Sequence, residues 1–233
     1  MKTIIIIPCY NEQETIAALY REVRGITPHD VLVINDCSTD DSEEILRREG
    51  IPHLNFPLNL GIGGAVQAGY RYALNNNYDI AVQLDGDGQH DPGQVEALID
   101  PIERGNADLV IGSRYINKAG FQSSAMRRVG IKFFQVLIYC LSGKKITDAT
   151  SGFRAANRKT MQLFNTYYAK DYPEPESNML ALKNKLRVGE IPVEMRERQG
   201  GVSSIKTLQP IYYMLKVSLG IIISSTIRAR VSL

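Results

Sequence analysis

Residues 80–91, Ile80-Ala81-Val82-Gln83-Leu84-Asp85-Gly86-Asp87-Gly88-Gln89-His90-Asp91, decide how the chain is read. The apolar run 80–84 has the length and composition of a buried strand. The turn beyond it, 85–91, cannot be core. Two carboxylates one residue apart would be unpaired charges if buried, and Gly-Asp-Gly is turn chemistry. Carboxylates beside an amide are hard oxygen donors suited to Mg2+ or Mn2+, ions that share their shell with water and phosphate oxygens. Asp85, Asp87 and Gln89 are therefore candidate metal positions for a bound nucleoside diphosphate. Taken alone, Asp-x-Asp is common, and the same residues read better as a solvated acidic turn. His90 fits a turn histidine bonded to the backbone better than it fits a base.

Outward from this stretch, strand and helix patterns alternate. The β-branched run 3–7 is a strand buried on both faces, ended by Pro8; an acidic helix start at 11–14 comes next and runs to about residue 24. A second strand at 31–34, a helix at 43–49, a weak third strand at 53–56 and a helix at 66–75 lead to the strand at 80–84. A helix at 94–104 and a strand at 109–112 come next. That order predicts an α/β fold with a mostly parallel sheet. Ligands of such sheets bind beyond the carboxyl ends of the strands, and every polar cluster of this half lies at one.

The second half is less regular. It contains a helix at 124–142, a polar motif at 148–154, a helix at 177–186, a strand at 188–193 and a basic glycine-containing loop at 196–204. An apolar helix at 208–227 closes the chain. The divisions expected are 1–206 as the main domain and 207–233 as a C-terminal amphipathic helix for membrane or oligomer contact.

Several residues carry chemistry. The cluster Gly61-x-Gly63-Gly64 opens a helix whose N–H groups can cradle a phosphate, although a tight turn explains it nearly as well. Asp36, beyond the second strand, can accept hydrogen bonds from a base or ribose, or form an Asx turn. Arg114, Arg154 and Arg198 have the fork geometry that matches phosphate. The 124–142 and 208–227 helices join cationic ends to wide apolar faces, which suit a core, an oligomer interface or an anionic bilayer.

Composition narrows the classes. The net charge of +2 gives no field for nucleic acid. Cys9, Cys37 and Cys140 lack paired spacing, which points away from disulfides and zinc and toward a reducing cytosol. No stretch reaches the roughly 18 consecutive apolar residues of a spanning helix, and residues 1–8 read as a first strand rather than a leader.

Seven ordered stretches then carry a resemblance: Ile7-Pro8-Cys9-Tyr10-Asn11-Glu12, Asn35-Asp36-Cys37-Ser38-Thr39-Asp40, Asn59-Leu60-Gly61-Ile62-Gly63-Gly64-Ala65, Asp85-Gly86-Asp87-Gly88-Gln89-His90, Gly112-Ser113-Arg114-Tyr115, Thr150-Ser151-Gly152-Phe153-Arg154 and Arg198-Gln199-Gly200-Gly201-Val202-Ser203-Ser204. The chain resembles the family-two inverting glycosyltransferases of the GT-A fold, and among them the dolichol-phosphate-mannose-synthase-like, or polyprenyl-phosphate glycosyltransferase, branch. The resemblance implies a nucleotide-binding Rossmann-like half and an acceptor half. It implies a metal-dependent hexosyltransferase, using Mg2+ or Mn2+, that moves a sugar from a UDP- or GDP-linked donor to an undecaprenyl- or dolichyl-type phosphate in cell-surface glycan assembly. Pro8, Tyr10, Glu12 and Asp36 would hold base and ribose. Asp85, Asp87 and Gln89 would surround the metal and diphosphate. Arg114, Ser151, Arg154 and Arg198 would face acceptor or leaving group. Asn35-Asp36-Cys37-Ser38 stands where the family usually has Asp-Asp-Gly-Ser, and Ile62 where it often has lysine.

A sugar hydroxyl of a growing polysaccharide is the alternative acceptor, and it would need a base, for which Glu176 and then Glu174 are candidates. A non-catalytic nucleotide-sugar-binding subunit and a nicotinamide dehydrogenase are further alternatives. The expected setting is cytoplasmic, peripheral at the inner face of the membrane, beside a small membrane protein or as a homo-oligomer.

Overall fold

In a computed structural model that describes residues 1–117, 125–196 and 210–228, the apolar runs of the first half become neighbouring parallel strands. These are β1 (Thr3–Cys9), β2 (Asp30–Asn35), β3 (His53–Asn55) and β4 (Ile80–Gln83). They alternate with α1 (Ile16–Ile26), α2 (Ser42–Arg48) and α3 (Gly61–Asn75). Then come α4 (Val95–Glu103), β5 (Leu109–Ser113), α5 (Ala125–Ser142), β6 (Arg154–Asn157), α6 (Arg158–Thr166), α7 (Pro173–Lys183), β7 (Val188–Pro192) and α8 (Pro210–Ser224). The described residues build one seven-stranded sheet of order β3-β2-β1-β4-β6-β5-β7, with apolar clusters on both faces. It is mostly parallel, as expected; β6 alone runs antiparallel to its neighbours β4 and β5.

That reversal positions the site. Parallel strands β1, β2 and β4 end at Cys9, Asn35 and Gln83. Because β6 runs the other way, its first residue, Arg154, lies opposite Gln83 and Ile111. The polar segment 148–153 ahead of it therefore arrives at the edge where the parallel strands finish.

The structure departs from the expected elements at several places, and α3 begins at Gly61 rather than at 66. Pro8 does not end β1; it pairs with Ile34, and the strand continues to Cys9. The β4 side of the ladder stops at Ile6, so the missing proline N–H costs no bond there. The first helix begins at Ile16 rather than at 11–14, because Asn11 takes a left-handed φ of 56° and residues 11–13 bond sideways to the loop after β2. Helix α7 begins four residues early, with Pro173 in its first turn, where the absent N–H is harmless. Finally, β6 and α6 replace what reads as irregular polar chain.

Helix α8 is apolar and packs Val217 and Ile221 into the same cluster as α5 and α7. Among the described residues, no helix is long and apolar enough to cross a membrane. Arg198 and the loop 197–204 lie outside the described residues.

Candidate functional site

The acid turn after β4 is held from three sides. The backbone N–H of Asp85 donates to His90 Nδ1 at 2.9 Å, which puts the ring proton on Nε2, 3.6 Å from Asp85 Oδ2. His90 is 3% exposed and stacks on Phe153, with centroids 4.8 Å apart and planes 14° from parallel. It is the expected turn histidine, a brace under Asp85. Gln83 Nε2 donates to Asp85 Oδ1 at 3.1 Å, and Gln89 N–H donates to Asp87 Oδ1 at 3.1 Å.

Two glycines let the chain close around this turn. A Cβ on Gly86 would lie 2.9 Å from the carbonyl oxygen of Pro8, and one on Gly152 would lie 2.9 Å from Asp85 Oδ2. Thr15 Oγ1 adds a 2.8 Å bond to the Gly86 carbonyl. The tips of β1 and β4 and the approach to β6 thus meet at Asp85. Pro8, Ser151 and Gly152 are gathered there by topology, over sequence separations no local pattern reports.

A polar wall adjoins it. The loops after β1 and β2 are stitched together: Asn11 N–H donates to Ser38 Oγ, Thr39 N–H to Asn11 Oδ1, and Glu12 N–H to Ser42 Oγ. Glu12 is buried, while Tyr10 projects half-exposed from the end of β1. Asp36 is buried, and its Oδ1 accepts the Leu60 N–H at 2.7 Å. Burial raises its carboxyl above the ordinary range, opposed by the N–H groups of Leu60 and Gly61 and by the Lys170 charge.

The glycines of α3 answer mainly to packing. Gly61 has φ 78°, and a Cβ on Gly63 would lie 1.9 Å from the Ala169 carbonyl oxygen. The Gly63 N–H donates to Lys170 O at 2.8 Å, and the Gly61 N–H to Asn59 Oδ1 at 3.1 Å. Both donors are taken up inside the protein.

The arginines are likewise engaged. Arg114 meets Asp148 through Nε–Oδ2 at 2.6 Å and Nη2–Oδ1 at 2.8 Å, and Nη2 also donates to Thr150 Oγ1. Burial would lower the Arg114 pKa, but the hydrogen bond and charge of Asp148 hold it raised. Arg154 is fully buried, giving Nη1 to Ser177 Oγ at 2.8 Å and Nη2 to Ser151 O at 2.6 Å, while Nε has no hydrogen-bond partner among the described residues. Sequence reasoning matched neither arginine to its partners and did not find Thr15 or Ser177; no spacing signals a bond across 34 or 23 residues.

Glu174 and Glu176 diverge. Burial raises the Glu174 carboxyl, and the charges acting on it are those of Arg154, Asp85 and Arg114, so it belongs to the site's field. Glu176 turns to α8, where a Cβ on Gly220 would lie 2.2 Å from its Cδ. Burial pushes its carboxyl up to about 7, with Lys216 opposing and Asp171 reinforcing.

Comparison with known proteins accords with this arrangement. A family model described as Glycosyl transferase family 2 matches residues 4–164. A polyprenol monophosphomannose synthase of Mycolicibacterium smegmatis is 30% identical over 215 residues, covering 88% of this chain and 81% of the relative. An undecaprenyl-phosphate mannosyltransferase of Micrococcus luteus is 30% identical, covering 88% of each chain. A UDP-N-acetylglucosamine–dolichyl-phosphate N-acetylglucosaminyltransferase of Methanococcus voltae is 28% identical, covering 82% of this chain and 84% of its own. Among solved structures, glucosyl-3-phosphoglycerate synthase from Mycobacterium tuberculosis, in complex with Mn2+, UDP-glucose and phosphoglyceric acid, superposes with a TM-score of 0.76 over 98% of this chain and 81% of that one. At 17% identity it establishes the fold, which is GT-A.

Proposed function

The chain belongs to glycosyl transferase family 2, and on that premise we propose that it moves a sugar, with inversion, from a nucleoside-diphosphate donor to a polyprenyl phosphate. The observation that carries this reading is the convergence of strand tips on Asp85, with Asp87 two residues on and the buried polar wall of Asp36 and Glu12 beside them. The relatives named for polyprenol, undecaprenyl and dolichyl phosphate acceptors support the acceptor class.

The donor set fits a divalent ion. Asp85 and Asp87 offer hard oxygens at a turn, and the missing Cβ of Gly152 leaves Asp85 room. Among the described residues, no cluster of three or more His, Cys, Asp or Glu side chains could hold a metal by itself. Two carboxylates would leave much of the shell to water and diphosphate oxygens, the habit of Mg2+ and Mn2+. When bound, such an ion supplies neutralisation of the charge that grows on the departing diphosphate.

The chain's own residues do the rest. Asp85 and Asp87 would hold that ion at the diphosphate end. Gln83 bonds the Asp85 carboxylate, Gly152 leaves it room and His90 holds the Asp85 backbone N–H, so the carboxylate is kept in one place. Tyr10, Glu12 and Asp36 line the base and ribose end. Arg114, held by Asp148, adds fixed positive charge near Asp85 rather than a free fork. The acceptor attacks from the face opposite the leaving group. A lipid phosphate is already an anion, so no side chain has to remove a proton. Glu176 lies under α8, so of the two candidate bases for a sugar hydroxyl Glu174 is the one in the field of the acid turn. Donor and acceptor would meet at the cytoplasmic face of a membrane.

The test is a panel of UDP- and GDP-hexoses incubated with Mn2+ and a polyprenyl phosphate. Release of nucleoside diphosphate together with a glycosyl-phosphate lipid is expected. Donor binding without lipid product under every pairing would overturn the acceptor assignment.

A further inference from the structure

Residues 194–196, which follow β7, are tied to the second half of the acid turn. His90 and Met195 form an isolated antiparallel bridge, and the Arg196 N–H donates to the Gln89 carbonyl at 2.9 Å. Gln94 Nε2 donates to Glu194 O at 3.1 Å, and the Glu194 N–H donates back to Gln94 Oε1 at 3.0 Å. The Arg196 guanidinium adds a bond from Nη2 to Asp91 Oδ1 at 2.7 Å.

Arg196 also reaches a third element. Its Nη1 donates to Glu22 Oε1 on α1 at 2.8 Å. One side chain thus joins the end of β7, the acid turn and α1, across sequence separations of 105 and 174 residues. Asp91 is engaged on both oxygens: Oδ1 also accepts the Gly93 N–H at 3.0 Å, and Oδ2 accepts the Gln94 amide at 3.2 Å. Burial alone would raise the Asp91 carboxyl, but the Gln94 amide, the Gly93 N–H and the Arg196 charge hold it lowered, so it stays an anion for Arg196 to grip.

The two ion pairs are about a third exposed, and pairs in that setting add little to stability. What they fix is position. Gln89, whose carbonyl accepts from Arg196, donates its own N–H to Asp87 Oδ1. His90, bridged to Met195, accepts the Asp85 N–H. Each of the paired acids is therefore bonded to a residue that segment 194–196 holds.

We infer that Arg196 is a positioning residue for the paired acids: by clamping Asp91 to Glu22 it steadies Gln89 and His90, and through them Asp87 and Asp85, in the arrangement that takes a divalent ion. The inference rests on the metal role proposed above for those acids. Groups that orient metal-binding side chains without touching the ion are worth roughly tenfold to a hundredfold in affinity.

Amide hydrogen exchange of the full chain, without metal, reads the clamp directly. Arg196→Ala should speed exchange of the Asp85 and Gln89 N–H groups about tenfold and leave the β1 amides unchanged. With UDP or GDP present, its Mn2+ dissociation constant should rise about tenfold while the melting temperature stays close to that of the wild type. Excess Mn2+ should then restore most of the turnover, which a damaged fold would not allow. Arg196→Lys should recover part of the affinity, because an ammonium has no fork to span both acids. Asp91→Asn should weaken Mn2+ binding similarly, and the double variant should lose no more than the worse single one. Unaltered exchange and Mn2+ binding in Arg196→Ala would overturn the inference and leave the metal role of the acid turn intact. Faster exchange throughout the sheet, with a matching fall in melting temperature, would also overturn it, making Arg196 a structural tie. A wild-type chain that takes up no Mn2+ would overturn the metal role itself and this inference with it.

Discussion

The turn after β4 and the Arg114–Asp148 pair, made by the loop after β5 and the segment ahead of β6, both place charged side chains at the same edge of one sheet, yet they dispose of charge in opposite ways. Asp85 keeps its side chain 35% exposed and, among the described residues, forms no ion pair with an arginine or lysine. Its neighbours are an amide, a histidine ring and a glycine where any side chain would intrude. Asp148 is wholly buried and forked by Arg114. One acid is presented and the other is neutralised. A buried carboxylate demands a protein partner, whereas a carboxylate left part-exposed at a strand end is available to a ligand.

Substitutions can break that contrast. Asp87→Ala has the largest expected effect: transfer should fall by ~10³-fold or more, with the melting temperature little changed, because the lost group acts on the leaving diphosphate. Near-normal turnover would place the metal elsewhere. Arg114→Ala should do the reverse in kind, lowering stability by about 3–5 kcal/mol in urea unfolding, since Asp148 is then buried without a counter-charge. Gly152→Ala sharpens the comparison, for it adds one methyl 2.9 Å from Asp85 Oδ2. Transfer is expected to drop roughly tenfold to a hundredfold, and the Mn2+ requirement to rise, in an otherwise folded protein.

The smallest effect concerns Glu176. Burial holds its carboxyl up at about 7 against an ordinary 4.5. The folded protein therefore keeps the proton more tightly than the unfolded chain does. The stabilisation is complete below pH 4.5 and is lost as pH rises through 7. Because the side chain is only partly buried, its share is about 1 kcal/mol, and Glu176→Gln should flatten that part of the pH–stability curve.

The make-up of each element decides how much of the fold and site was legible in the sequence. Strands β1, β2 and β4 are apolar runs buried on both faces, and their alternation with helices revealed the parallel half directly. Strand β6 is Arg-Ala-Ala-Asn, four residues without a β-branched side chain, so nothing local separated it from loop. Helix α6 did carry a signal, since Asn157 caps it through the Thr160 N–H. In the site, Asp85, Asp87 and Asp36 could be marked because polar residues at strand ends stand out against the apolar runs, whereas Tyr10 entered only through the family resemblance. The partners of Arg114 and Arg154 could not, because sheet order decides them. The two glutamates of α7 become distinguishable once the helix is known to start at Pro173: two positions apart on a helix, they face different ways.

Manganese electron paramagnetic resonance tests the acid turn most directly. Titrating Mn2+ into the wild-type chain with UDP or GDP present should quench the free-ion signal at one site per chain, and Asp85→Asn or Asp87→Ala should abolish that quenching. An unaltered titration in both variants would contradict a divalent ion held between the paired acids and the diphosphate.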